Sequence, residues 1–149
     1  MTPWETTVQA RPMSELVASQ SDDDPSGAGV AARVVLVVED DRAVARMLRI
    51  AMRSAGFEVI EARTGADALA RASGAKIDAV VLDLGLPDGG AGNVLTWLRA
   101  KNDRMPWLVI SALDQHEAAR QYGQFDGHFV AKPFDPWMLV RRLEDQLSR

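Results

Sequence analysis

The sequence predicts an α/β fold: an open, doubly wound, five-stranded parallel sheet flanked by five helices. Three observations carry this. Short apolar runs recur along the chain from Arg33 onward. Each is followed by a stretch with apolar residues at helical spacing, and the two patterns alternate to the end of the chain. Strands that read apolar throughout, instead of at every second residue, are those covered on both faces, as parallel strands are between two helical layers.

The first strand is Val34–Val38, a continuous β-branched run. Residues 42–55 place Val44, Met47, Leu48, Ala51, Met52 and Ala55 at helical spacing, and Gly56 supplies the stop. Residues 57–60 (FEVI) form a short second strand. Thr64 is the N-cap of a helix running to about Ser73. Asp78–Leu82 is the third strand and Asn93–Lys101 the third helix. Trp107–Ile110 is the fourth strand, followed by a short helix near Asp114–Gln121. His128–Ala131 is the fifth strand and Asp135–Leu147 the closing amphipathic helix.

The chain has 149 residues, enough for one domain with one core. With 47% apolar and 26% charged residues it has the composition of an ordinary globular protein. It has no apolar run of membrane-spanning length and no signal-peptide-like start, so neither a membrane nor export is expected, and a reducing cytoplasm is the simplest compartment. The absence of cysteine excludes disulfides and thiol catalysis. Two histidines, His116 and His128, are expected at the surface and do not make a histidine-rich metal site.

The net charge of −4 lies entirely in residues 1–32, which hold Glu5, Glu15, Asp22, Asp23 and Asp24 against Arg11; residues 33–149 carry sixteen charges of each sign. A segment with Asp22–Asp24 followed by Pro25, Gly27 and Gly29 reads as a disordered linker, and residues 1–32 as a disordered or partner-binding extension. With no overall basic field on residues 33–149, no nucleic-acid partner is expected.

In open parallel sheets, ligands bind beyond the C-terminal ends of the strands, at the switch in strand order. That rule selects Glu39, Asp40 and Asp41 after the first strand, Asp83 after the third, Ser111 after the fourth, and Lys132 with Pro133 after the fifth. Carboxylates gathered at one point repel unless a cation sits among them. Oxygen ligands without His or Cys suit Mg²⁺, a carboxylate beside it is a nucleophile for phosphorus, and a lysine and a hydroxyl serve the oxygens in transfer.

These residues stand in four motifs: Val38-Glu39-Asp40-Asp41, Leu82-Asp83-Leu84-Gly85-Leu86-Pro87-Asp88-Gly89, Ile110-Ser111-Ala112, and Phe129-Val130-Ala131-Lys132-Pro133-Phe134. In this order and at strand ends, over about residues 33–149, they resemble bacterial response-regulator receiver domains, whose sheet is flavodoxin-like. The resemblance implies Asp83 as phosphoacceptor, Asp40 as direct metal ligand, Glu39 as a ligand through water, and the Gly85 backbone carbonyl as a further ligand to Mg²⁺. It implies that Ser111 and Lys132 meet the phosphoryl group, that Phe129 is the switch aromatic moving with Ser111, and that Lys132–Pro133 is cis. The partners implied are a histidine kinase or histidine phosphotransfer protein and a downstream protein target. The chain is then no enzyme in the usual sense, but a phosphoacceptor that supports its own phosphoryl transfer and dephosphorylation.

Several residues have plainer readings. Asp41 suits the first turn of a helix, where the dipole favours an acid. Phe129 also reads as a core aromatic. Trp107 and Trp137 read as packing residues, Trp137 alternatively as part of a partner face. Arg42, Arg46, Arg49 and Arg53 share one helix face, either simply solvated or a docking surface for an acidic or phosphorylated partner.

The sequence also departs from the family pattern. The small Gly-Ala pair usual before the fifth strand is replaced by Phe125-Asp126, preceded by Tyr122-Gly123-Gln124, and the fourth helix is short. Gly85 places no side chain over the phosphoryl group, so water is expected to enter there.

Because the sequence ends just past the fifth helix, and a DNA-binding module needs roughly another hundred residues, the expectation is a stand-alone receiver with output by protein contact. The alternatives are a receiver-like interaction module that works without phosphorylation, and the receiver portion of a hybrid histidine kinase. A haloacid-dehalogenase-type phosphatase would want an acid where Gly85 stands, and a dinucleotide enzyme a glycine-rich turn where Glu39–Asp41 stand.

Overall fold

A computed structural model describes residues 32–101 and 105–148. The expectations for residues 1–31, including the linker, lie outside the described residues. Five strands, β1 (Val34–Val38), β2 (Glu58–Ala62), β3 (Ala79–Asp83), β4 (Trp107–Ser111) and β5 (Phe129–Ala131), form one sheet in the order β2-β1-β3-β4-β5. Every neighbouring pair is parallel. Five helices alternate with them: α1 (Arg42–Ser54), α2 (Gly65–Ser73), α3 (Ala91–Ala100), α4 (Gln115–Tyr122) and α5 (Pro136–Leu147). The predicted class is therefore the observed one. Among the described residues no helix is long and apolar enough to cross a membrane.

Alternate residues of the continuous apolar strands serve opposite layers. Val35, Val37, Val81, Leu108 and Ile110 face α1 and α5, meeting Leu48, Met52, Leu139 and Leu143. Leu36, Val38, Val80, Leu82 and Val109 face the other layer and meet Ala68, Val94, Leu95, Leu98 and Ala118. The sheet is thus sandwiched, and none of these strand residues is more than 1% exposed.

Helix starts follow local chemistry. Asp41 caps α1, its carboxylate accepting from the N–H groups of Ala43 and Val44 at 2.9 and 3.1 Å. Thr64 accepts from Asp67 N–H at 3.0 Å, Asp114 from Glu117 N–H at 2.9 Å and Asp135 from Trp137 N–H at 2.9 Å, with Pro136 at the first position of α5. Gly56, at φ +94°, ends α1 in a conformation that favours glycine.

Several elements shift by a residue or two from their predicted bounds, the third strand to Ala79–Asp83, the third helix to Ala91–Ala100 and the fourth strand to Trp107–Ser111 among them, and two further shifts have a clear physical reason. The second strand runs Glu58–Ala62, not 57–60, because it pairs residue for residue with all of β1. That pairing draws in Glu61, which is half-buried and salt-bridged to Arg49 at 2.5 Å. Phe57 instead packs into the α1–α5 layer. The fifth strand begins at Phe129, and His128 is not the surface group expected. Its ring stacks on Trp107 at 3.8 Å, and its Nδ1 lies 2.8 Å from the Trp107 carbonyl.

Candidate functional site

The order of strands reverses direction beside β1, and the C-terminal ends of β1 and β3 lie together there. Ladder geometry continues one residue past the strands. Glu39 N–H bonds the Ala62 carbonyl at 3.0 Å, Leu84 N–H the Ile110 carbonyl at 3.0 Å, and Lys132 N–H the Ser111 carbonyl at 2.8 Å. The residues at these tips are therefore held by the sheet itself.

They line one cleft of about 550 Å³ that includes Glu39, Asp40, Asp83, Gly85, Ser111 and Lys132. One carboxylate oxygen from each of Glu39, Asp40 and Asp83 lies within 4.8 Å of the others. Glu39, Asp83 and Ser111 are buried at 2%, 4% and 2% exposure, whereas Asp40 is half-exposed. Lys132 Nζ reaches into the cluster, 3.3 Å from Glu39 Oε1 and 3.4 Å from Asp83 Oδ1. The Lys132–Pro133 peptide is cis.

The electrostatics follow from crowding. Burial pushes the Glu39 carboxyl from 4.5 up to about 7, aided by a hydrogen bond to Asp83 and by the Asp83 charge. The Asp41 N–H, 3.1 Å from Oε2, and the Lys132 ammonium pull the other way. Burial alone would lower the Lys132 ammonium, but the charges of Asp83 and Glu39 outweigh it and hold it above its usual range. One ammonium against three carboxylates leaves the cluster short of positive charge, and a hard divalent cation with oxygen ligands is what such a donor set fits.

Neighbouring groups shape the cleft. Asp83 Oδ1 accepts from Gly85 N–H at 3.1 Å. A Cβ at Gly85 would lie 3.7 and 4.0 Å from the two Asp83 oxygens, so any side chain there would begin beside that carboxylate. Ser111 Oγ accepts from Leu113 N–H at 3.0 Å and keeps its own proton to donate. Asp41 borders the cleft but spends its carboxylate on capping α1. Phe129 stands apart at the start of β5, half-buried against Phe125 with ring centroids 5.6 Å apart.

Sequence reasoning missed Asp88. Its carboxylate accepts from Gly65 N–H at 3.2 and 3.1 Å, Ala66 N–H at 3.4 Å and Gly90 N–H at 3.0 Å. The Gly65 contact is the main reason that its carboxyl is held below the usual range. The contact ties the start of α2 to the loop that follows Asp83. Gly65 and Gly90 approach so closely that a Cβ on Gly65 would stand 2.4 Å from the Gly90 carbonyl oxygen. The run Pro87-Asp88-Gly89-Gly90 signals a turn in the sequence, but not its partner.

A family model described as the response regulator receiver domain matches residues 35–144. The transcriptional regulatory protein PrrA of Mycobacterium tuberculosis is 39% identical over 124 residues, covering 81% of this chain and 52% of that protein. The KDP operon transcriptional regulatory protein KdpE of Escherichia coli is 38% identical over 118 residues, covering 77% of this chain and 51% of that protein. Among solved structures, a putative response regulator from Chloroflexus aurantiacus is similar with a TM-score of 0.69 and 31% identity, covering 80% of this chain and all of that one. The chain spans about half the length of the curated relatives it matches.

Proposed function

Because the chain belongs to the response regulator receiver domain family, we propose that it is a phosphorylation-dependent switch that accepts a phosphoryl group on Asp83 from a histidine kinase or histidine phosphotransfer protein. The observation that carries this reading is the convergence of Glu39, Asp40 and Asp83 with Lys132 in one cleft.

An Asp83 carboxylate oxygen attacks phosphorus, the P–N bond to the donor imidazole breaks, and the acyl phosphate forms as the imidazole leaves. Lys132 pairs with a phosphoryl oxygen and Ser111 donates its hydroxyl proton to another. Glu39 and Asp40, with Asp83 and the Gly85 carbonyl, would hold Mg²⁺, which when bound would supply neutralisation of charge on the oxygens in transfer. Ser111 is drawn toward the phosphoryl group and Phe129 follows, biasing a two-state equilibrium. Loss of the phosphoryl group to water resets the switch, and Gly85 leaves that approach open.

The donor's docking face has a candidate beside the cleft. A groove of about 520 Å³ runs between α1 and α5 over Ala43, Met47, Ile50, Pro136 and Trp137, with Arg46 on its lining. Both helices begin at the acceptor edge, following Asp41 and the Lys132–Pro133 turn. Ile50 and Trp137 are about half exposed, at 50% and 49%. This surface suits the amphipathic helices of a partner.

Output passes by protein contact in the cytoplasm. The relatives named as transcriptional regulatory proteins put transcriptional control among the outputs that this reading favours, against the expectation of no nucleic-acid partner.

Incubation with Mg²⁺ and acetyl phosphate, followed by intact-mass measurement, tests the reading. One added phosphoryl group, absent in Asp83→Asn, is expected. An unmodified wild type would leave the phosphorylation-independent interaction module as the better account.

A further inference from the structure

The departure from the family pattern ahead of β5 builds a clamp. Arg99, in the last turn of α3, donates from its two terminal nitrogens to the carbonyls of Tyr122 at 2.6 Å and Gln124 at 2.8 Å. Its guanidinium carbon lies 5.3 Å from the centroid of the Phe125 ring. The Tyr122 carbonyl belongs to the last turn of α4, where a cation also meets the negative end of the helix dipole. Gly123, at φ +89°, turns the chain beneath the guanidinium; a Cβ there would sit 3.7 Å from it.

The clamp pins Phe125, which is 1% exposed within the α2–α3–α4 layer. Phe125 in turn meets Phe129, with rings tilted at 48°. Phe129 therefore rests on a residue whose ring a planar cation holds, together with the backbone on either side of Gly123.

We infer that Arg99 is a positioning residue of the switch: through Phe125 it favours the position of Phe129 in contact with Phe125, and so opposes any phosphoryl-linked move of Phe129 out of that contact. The inference rests on the acceptor reading of Asp83. Contacts made in one state only shift an equilibrium by their own free energy, and the coupling is reciprocal between sites. Weakening the clamp must then tighten binding of a phosphoryl mimic in the distant cleft.

Calorimetric titration of the full chain with beryllofluoride in saturating Mg²⁺ tests this, alongside thermal melts. Arg99→Ala is expected to bind about fivefold more tightly than wild type. Arg99→Lys, which keeps a cation near Phe125 but loses the planar fork, falls between them. In a Phe129→Leu background the Arg99→Ala gain disappears, which a purely structural role would not produce. A gain of equal size in both backgrounds, or a lowered melting temperature with unchanged affinity, overturns the inference while leaving the acceptor reading intact. No binding of beryllofluoride by wild type overturns both.

Discussion

Glu39 gives the acidic cluster a measurable pH signature. Its carboxyl titrates at about 7 in the fold and at 4.5 ordinarily, burial being the main cause. Between those values the folded chain keeps a proton that the unfolded chain has released. Stability rises with pH only where the unfolded state binds more protons, so here it falls as pH rises. The interval from 4.5 to about 7, at about 1.4 kcal/mol per pH unit, corresponds to about 3 kcal/mol. That stabilisation is complete below pH 4.5, is lost across the interval, and is absent at pH 8. Other groups titrate too, so the quantity to measure is the difference between wild type and Glu39→Gln. The neutral amide removes the ionisation while keeping the shape. Urea unfolding in a chelating buffer, at steps from pH 4.5 to 8, should show wild type losing about 3 kcal/mol relative to the variant as pH rises. Adding Mg²⁺ at pH 8 should restore much of the loss in wild type, because a divalent ion favours the ionised carboxylate, and restore less in Glu39→Gln. A wild-type-minus-variant difference flat across this range would refute the argument, since it would mean that Glu39 ionises as readily in the fold as in solution.

Three further outcomes follow from the geometry. Gly65→Ala should lose about 1–3 kcal/mol in urea unfolding, because the new Cβ would stand 2.4 Å from backbone oxygen; wild-type stability would mean that the α2 start and the Gly90 loop can separate freely. Gly85→Asn should slow loss of the phosphoryl group from Asp83, as a side chain beginning 3.7 Å from Asp83 Oδ1 screens it from water; equal dephosphorylation rates would remove that idea. Trp137→Ala should slow phosphotransfer from a phosphohistidine protein by about tenfold, as loss of an interface anchor does, while leaving labelling by acetyl phosphate unchanged; parallel slowing of both would place its effect on the fold instead of on docking.

The strand–helix alternation was legible because burial on both faces leaves a signal that needs no knowledge of the partner. Val34–Val38 reads as a strand whichever helices cover it, and Thr64 and Asp135 cap their helices through contacts two or three residues away. Boundaries that depend on a neighbour were less legible. Glu61 is a weak strand former, and only pairing with Val37 places it in β2. His128 gave no sign of its stacking on Trp107, which opens β4, 21 residues away in the chain.

The cleft divides along the same physical line. Residues at strand tips could be located because a parallel sheet sets down the last residue of each strand and the one after it at a common edge, and the ladder hydrogen bonds of Glu39, Leu84 and Lys132 hold them there. The contacts between loops left no periodic trace: Asp88 meets Gly65 across 23 residues, and Arg99 meets Gln124 across 25. Nor could adjacency in sequence tell Glu39 from Asp40. Only the packing shows one buried and the other half-exposed, and that difference gives them unequal chemistry. The half-exposed acid stays in contact with water and can meet an incoming ion at little cost. The buried one holds its proton near neutrality until a cation arrives, so metal binding at this edge should release a proton from Glu39 and strengthen as pH rises through about 7.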